Sequence, residues 1–358
     1  MAQFPDLVSA QPLTDAQAMA LAIEAGQRVR GTTYPNPPIG CVILDTAGIA
    51  VGVAGTEPVG VAGTEPVGGR HAEPQALEMA GARAQGGTAV VTLEPCNHIG
   101  RTPPCTEALA AAGVSRVIFA VADPNPVAAG GSEWLRYKGI DVVEEFQRNR
   151  VADGYLRPWL HWQRTRRPHI TLKTAGTLDG FAAATDRTSQ WITGEQARAR
   201  VHVDRARRQA IVVGTGTVLA DNPRLTARTP DGEELSTQPL RIAIGTSEVA
   251  ADANIRGDSF RHIRTHDVEV ALETMADMGL IDVLVEGGPR LASAFLEADA
   301  VDAIESYIAP AFLGAGLPVT SSNHETSITD ISRFRTVAVE TLGDDILITA
   351  LRSGKDRG

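Results

Sequence analysis

The residues able to do chemistry together lie in one stretch. It opens with His71-Ala72-Glu73-Pro74 and closes with Leu93-Glu94-Pro95-Cys96-Asn97-His98-Ile99-Gly100-Arg101-Thr102-Pro103-Pro104-Cys105. One imidazole and two thiols form a donor set suited to zinc. A catalytic zinc takes three protein ligands and keeps a fourth position open, whereas a structural zinc is closed by four. In mid-helix the offset between His71 and Glu73 would turn the two side chains about 200° apart. If His71 stands just before a helix, both can reach one centre, and Pro74 is tolerated in a first helical turn. Three readings follow: a catalytic zinc on His71, Cys96 and Cys105 with Glu73 carrying protons, a structural zinc closed by His98, or no metal and cysteines acting as small buried hydrophobes. Glu73 favours the first, because a closed structural site has no use for a carboxylate beside it.

The 358 residues suffice for two domains of ordinary size. No apolar run reaches the length of a membrane span, and the first ten residues lack the basic start and apolar stretch of a secretory signal. Three cysteines argue against a disulfide framework and for a reducing, cytoplasmic setting. The formal charge of −10, from 33 basic and 43 acidic residues, comes without a basic block. Nucleic acid is therefore disfavoured as a partner, since binding it needs a positive footprint. That also counts against a nucleic-acid-editing deaminase or a zinc binding module. A small-molecule substrate is expected, and homo-oligomerisation is left open.

The elements that must position these residues follow from pattern. Thr14-Asp15-Ala16-Gln17 is a capping-box helix start. Residues 39–44 and 49–53 read as strands, and residues 51–58 are repeated identically as 59–66, a duplication best placed in a loop. A helix should run from His71 to about Arg83. A strand over 89–93 should deliver Cys96 at its end, and a helix should open at Cys105, where its N-terminus would favour a thiolate. Further strands at 116–121 and 140–144 complete an α/β layer with a mainly parallel sheet. Residues 151–168 read as a linker, helix-like and polar over 155–167 and ending Arg166-Arg167-Pro168. A second α/β series follows, with strands at 169–173, 210–213, 240–244, 282–286, 303–308 and 346–351 and a basic helix over 195–208. Two glycine-rich strand-to-helix turns, Gly214-Thr215-Gly216-Thr217 and Gly287-Gly288-Pro289, suggest phosphate cradles. Each is weak alone, and no Gly-x-Gly-x-x-Gly with a later acidic partner supports a Rossmann domain.

The His-x-Glu with a later Pro-Cys and second Cys is the pattern of zinc nucleobase deaminases, although here the two cysteines are spaced more widely than Cys-x-x-Cys. Together with Asn36-Pro37-Pro38-Ile39-Gly40 and Asp123-Pro124-Asn125-Pro126, it resembles the bifunctional deaminase/reductases of riboflavin biosynthesis. In the second half Thr171 to Gly180, Ser189-Gln190-Trp191-Ile192-Thr193, Gly216 to Pro223 and Val285-Glu286-Gly287-Gly288-Pro289 resemble the reductase domain of that family.

The resemblance implies a cytidine-deaminase-like three-layer α/β domain over residues 1–150 and a dihydrofolate-reductase-like α/β domain over 169–354. It implies Zn2+ on His71, Cys96 and Cys105, Glu73 as the catalytic proton shuttle, and Asn36, His98 and Arg101 binding the deaminase substrate. In the reductase it implies NADPH contacts at Gly176, Trp191, Thr217, Asp221, Thr246 and the turn Gly288, Pro289, Arg290, Leu291, Ala292, Ser293 and Ala294. Substrate contacts would fall on Ser189, Arg205, Leu225, Arg228 and Glu286, with Arg205 and Arg228 suited to the substrate's phosphate by forked donation. Lys173 and Asp179 share the motif without separable roles. The chain departs from the family at Pro74, usually apolar, at Arg70, often Pro, and in the duplication. A reductase with an inactive, zinc-holding first domain is the alternative, and the intact Glu73 argues against it.

Overall fold

The computed structural model describes residues 11–55, 69–98, 103–229, 231–321 and 327–353. The chain divides into two compact units, Met1–Arg166 and Arg167–Gly358. Among the described residues no helix is long and apolar enough to cross a membrane.

The first unit runs α1 (Asp15–Arg28), β1 (Gly40–Leu44), β2 (Ala50–Gly55), α2 (Ala72–Ala80), β3 (Thr88–Val91), α3 (Cys105–Ala111), β4 (Arg116–Phe119), α4 (Gly131–Tyr137), β5 (Asp141–Val143), α5 (Arg148–Ala152) and α6 (Arg157–Thr165). The capping box forms as its sequence dictates. The Gln17 N–H donates to Thr14 Oγ1 at 3.3 Å, and the Thr14 N–H donates to Gln17 Oε1 at 2.9 Å. The sheet order is β2-β1-β3-β4-β5. It is mixed rather than mainly parallel, because β1 is antiparallel to both its neighbours while β3, β4 and β5 are parallel.

Two glycines show how helices cover both faces. Val42 pairs with Val53 and Ile43 with Gly52, so Gly40 and Gly52 point to opposite sides of the pleat. A Cβ on Gly40 would sit 1.8 Å from the Ala22 carbonyl oxygen of α1, and one on Gly52 would sit 2.0 Å from that of Ala76 in α2. Each helix backbone therefore lies almost against the sheet, α1 on one face and α2 on the other.

Residues 151–168 do not form a linker. Most of the stretch folds into α5 and α6, and Val151, Tyr155, Leu156 and Trp159 are buried. Arg and Pro residues suggested a spacer, but the apolar positions between them supply the buried face. The duplicated octapeptide begins inside β2, and residues 56–68 lie outside the described residues.

The second unit runs β6 (His169–Thr177), β7 (Phe181–Ala183), α7 (Glu195–Ala206), β8 (Ala210–Gly214), α8 (Thr215–Asp221), β9 (Leu240–Ile244), β10 (Phe260–Ile263), α9 (Val268–Asp277), β11 (Asp282–Val285), α10 (Pro289–Glu297), β12 (Ala303–Ala309), β13 (Leu317–Pro318), β14 (Phe334–Leu342) and β15 (Asp345–Arg352). Eight strands form one sheet in the order β10-β9-β8-β11-β6-β12-β15-β14, and β13 pairs with β7 apart from it. The first six are parallel, and β15 and β14 close the edge antiparallel. The parallel strands carry near-continuous apolar runs such as Ile211–Val213, as strands covered on both faces require. Under this sheet, Arg208 is 2 % exposed and donates to Asp282 at 2.8 Å and to Thr171 at 3.0 Å, with Glu305 as a further partner.

Candidate active sites

In the first unit the spacing resolves into one centre. His71 has extended backbone (φ −68, ψ 159) and is the N-cap of α2, so it is not yet helical while Glu73 is. That is the geometry that lets residues two apart converge. Cys96 lies beyond the end of β3. Its loop is tied by the buried carboxylate of Glu94, which accepts from the Asp123 N–H at 3.2 Å and the Ser132 N–H at 2.9 Å. Cys105 is the first residue of α3. The ligand atoms of His71, Cys96 and Cys105 all lie within 4.8 Å of one another. His71 Nδ1 is 3.1 Å from Cys105 Sγ and 3.6 Å from Cys96 Sγ.

These distances suit zinc. Bond lengths of ~2.0–2.1 Å to nitrogen and ~2.3 Å to sulfur give tetrahedral edges of roughly 3.5–3.8 Å. The cluster does not include His98, so the closed structural arrangement is not the one formed among the described residues. Glu73 is 4 % exposed, within hydrogen-bonding reach of the Cys105 thiol, and burial raises its pKa. Without a metal, the Cys105 hydrogen bond and His71 hold the Cys96 thiol down at about 4. Its hydrogen bond with Cys96 lifts His71 to about 9 despite burial. Cys105 opens α3, where a thiolate was expected. The helix's first N–H, that of Cys105, points instead at Cys96 Sγ (3.5 Å), and Cys105 itself is pushed up by Cys96 and by burial.

Asn36 is half-buried on the turn before β1, where its N–H donates to the Thr33 carbonyl at 3.0 Å. His98 is half-buried, and its Nδ1 is sequestered from solvent without a hydrogen-bond partner among the described residues. That orphaned nitrogen is suited to a polar ligand. Arg101 lies outside the described residues.

In the second unit a cleft of about 640 Å³ collects Ser189, Trp191, Arg205, Leu225 and Arg228. Lys173 reaches it from β6, and Glu286 stands just beyond the end of β11. Arg205 grips the Glu286 carboxylate with both prongs, Nε to Oε1 and Nη2 to Oε2, each at 2.8 Å. Lys173 Nζ is 4.0 Å from Glu286 and lies over the Tyr307 ring at 5.6 Å. Burial would raise the Glu286 carboxyl, but Arg205 and Lys173 hold it at about 2. Burial lowers the pKa of Lys173.

The forks expected to meet a phosphate are thus already engaged. Arg205 spends its fork on Glu286, and Arg228 donates to Glu234 and to the Gly232 carbonyl, each at 2.8 Å. Sequence spacing missed Arg198, His202 and Arg224, which also line the cleft. Arg198 and His202 share the basic face of α7, a signal indistinguishable from a solvated helix. The structure also separates Lys173 from Asp179. The latter accepts from the Leu313 and Gly314 N–H groups at 3.1 Å and 2.8 Å and so clamps a loop.

The glycine-rich turns come together because β8 and β11 are parallel neighbours. The Gly288 N–H donates to Thr217 Oγ1 at 3.2 Å, and no side chain caps the first turn of α10. Thr246 follows β9, the next strand outward, and Asp221 is exposed at the end of α8. Arrangement at the carboxyl ends of parallel strands, with an uncapped helix start, suits a dinucleotide's pyrophosphate. Within 288–294, Ala292 and Ser293 are buried, and Ser293 Oγ accepts from the Ser321 N–H at 2.8 Å. Gly176 is explained by packing, since a Cβ there would lie 2.6 Å from Val319 Cγ1.

Residues 13–121 match the family described as the cytidine and deoxycytidylate deaminase zinc-binding region, and residues 168–348 match the RibD C-terminal domain. A riboflavin biosynthesis protein RibD from Mycobacterium tuberculosis is 47% identical over 335 residues, covering 93% of this chain and 96% of its own length. The structure of Acinetobacter baumannii RibD is similar with a TM-score of 0.78 and 34% identity, over 95% of this chain and 99% of that one. A Thermotoga maritima diaminohydroxyphosphoribosylaminopyrimidine deaminase/5-amino-6-(5-phosphoribosylamino)uracil reductase has a TM-score of 0.80 and 30% identity, with the same coverage. A zinc-type deaminase unit joined to a reductase unit, matched by these relatives over 93% to 95% of its length, places the chain in the RibD family of bifunctional riboflavin-biosynthesis deaminase/reductases.

Proposed function

We propose that this chain catalyses two successive steps on one phosphorylated pyrimidine. The first unit, with its chemistry in residues 1–150, hydrolytically deaminates 2,5-diamino-6-(5-phosphoribosylamino)pyrimidin-4(3H)-one. The second, residues 169–354, reduces the ribose moiety of 5-amino-6-(5-phosphoribosylamino)uracil to ribityl with NADPH. The observation that carries this reading is the buried Glu73 carboxylate beside the convergent His71, Cys96 and Cys105. A remnant that merely held zinc would have no use for it.

When bound by His71, Cys96 and Cys105, zinc supplies the Lewis acidity that brings ionisation of water into the neutral range. Glu73 does the proton work in two rounds: it carries the attacking water's first proton to the ring nitrogen, then the proton left on the added hydroxyl to the departing amine, which leaves as ammonia. Burial suits it to hold each proton between uptake and delivery. Asn36, His98 and Arg101 bind the pyrimidine and its substituents.

In the reductase cleft, Glu286 is held ionised by Arg205 and Lys173, which fixes all three groups around the sugar. Ser189, Leu225 and Arg228 bound the substrate, and Trp191, 69% exposed, offers its ring as a wall of the same cleft. NADPH would supply the hydride, and the residues that would hold it are those of the Thr217 and Gly288 turns with Gly176, Asp221 and Thr246. The acidic balance of −10 supports action without nucleic acid, and three free cysteines support a cytoplasmic setting.

The test is ammonia release from the diaminopyrimidinone substrate by the zinc-loaded protein without NADPH. Wild type should release ammonia, and Glu73→Gln should retain zinc while losing release. Undiminished release by that variant would sink the assignment of Glu73.

A further inference from the structure

We propose that His266, together with Thr246, seats the 2′-phosphate of NADPH and so sets the preference for NADPH over NADH. The inference rests on the reductase reading above.

Its starting point is sheet order. The paired glycine-rich turns leave β8 and β11, and the next strands outward are β9 and β10, all parallel. At ~4.8 Å between strands, the ends of β9 and β10 lie roughly 5 and 10 Å from that of β8. The substrate cleft takes in Lys173 of β6, on the opposite side of the turns, so a dinucleotide with its nicotinamide in that cleft and its pyrophosphate on the turns would extend its adenosine over these two ends.

Two exposed side chains meet there. Thr246 follows β9, His266 follows β10, and Thr246 Oγ1 lies 2.9 Å from His266 Nε2. The backbone beneath them is fixed. His262 Nε2 bonds the Gly245 carbonyl at 2.8 Å, and Asp267 caps α9 by accepting from the Glu269 N–H at 2.9 Å. The Asp267 N–H in turn donates to Thr265 Oγ1 at 3.0 Å.

A carboxylate beside the adenosine ribose favours the free 2′-hydroxyl of NADH by hydrogen bonding and repels a 2′-phosphate, whereas donors without negative charge accept that phosphate. Here the residue following Gly245 is Thr246, which has no charge to repel an anion. The nearby carboxylates are occupied: Glu248 is paired with Arg264 at 2.7 Å, and Asp267 is committed to its helix cap. Thr246 and His266 are bonded to each other, and whichever of them donates, one O–H or ring N–H remains free for a phosphate oxygen.

The experiment compares binding of matched nucleotides to full-length zinc-loaded protein, wild type and His266→Ala. NADPH and NADH are followed by their fluorescence, and 2′,5′-ADP and 5′-AMP by calorimetry. The expected result is a five- to tenfold weakening for NADPH and 2′,5′-ADP, on the order of one charge-assisted hydrogen bond. NADH and 5′-AMP should bind as before, and His266→Gln, which keeps a donor on a side chain of different shape, should fall between. Equal weakening of both nucleotide types, or no change in either, overturns the proposal while leaving the reductase reading intact. A wild-type protein that binds neither dinucleotide overturns the reductase reading, and this proposal with it.

Discussion

Replacing Glu286 by glutamine should destabilise the second unit by about 3 kcal/mol at neutral pH. The carboxylate's side chain is 5% exposed, gripped at two points by Arg205 (15%), with Lys173 at 4.0 Å. Glutamine keeps the shape and one acceptor but removes the charge that Arg205 grips and Lys173 faces. Two routes to the magnitude agree. Breaking a buried pair by removing one partner costs about 3–5 kcal/mol. A fall in carboxyl pKa from 4.5 to about 2 corresponds to roughly 3 kcal/mol, at ~1.4 kcal/mol for each tenfold change in proton affinity. The pH dependence has a definite sign. The folded carboxyl is the stronger acid, so its contribution is complete above the unfolded pKa of 4.5 and is lost as pH falls towards 2. Near pH 3.5 about 2 kcal/mol should remain. The assay is hydrogen exchange by mass spectrometry on peptides from β8 and β11, which reads the second unit without assuming that the whole chain unfolds in one step. A difference under about 1 kcal/mol at neutral pH, or one that fails to shrink in acid, would refute the argument that this ion pair holds the cleft together.

Further outcomes follow from other contacts. Cys96→Ala should lower bound zinc from about one equivalent to near zero by metal analysis, since two ligands rarely retain it, while the reductase unit's exchange protection stays unchanged. Gly40→Ala should cost at least about 2–3 kcal/mol in urea unfolding of the first unit, because its Cβ meets backbone oxygen rather than a movable side chain. Arg208→Met should cost about 3–5 kcal/mol, read as a fall in the second unit's melting temperature, since it removes the guanidinium facing the fully buried Asp282 carboxylate. A much smaller loss would mean that a water or neighbouring group takes over the contact.

What could be read from the chain itself was whatever is encoded locally. The Thr14–Gln17 capping box, the apolar runs of β1, β8 and β11, and the helix start at Cys105 depend on neighbours in sequence, and each stands where its pattern placed it. His71 just outside a helix and Glu73 just inside it is also local information, carried by Pro74 in the first turn. Residue types alone named a zinc donor set, because few side chains bind that metal.

Tertiary structure decided what depends on distant partners. The tight turn after β1 already implied that β2 runs antiparallel to it, but sequence could not say that β1 is also antiparallel to β3, since that depends on how the chain returns through space. The exposed edge strand β14 lacks a clean buried alternation, so nothing in its pattern announces it. Arg205 and Arg228 looked like a pair of phosphate forks, yet Arg205 faces Glu286 across 81 positions and Arg228 folds onto its own hairpin at Glu234. A guanidinium binds whichever carboxylate the fold brings to it, and only packing settles which one that is. Thr246 and His266 likewise become neighbours because β9 and β10 are adjacent parallel strands, a relation no spacing along the chain reveals.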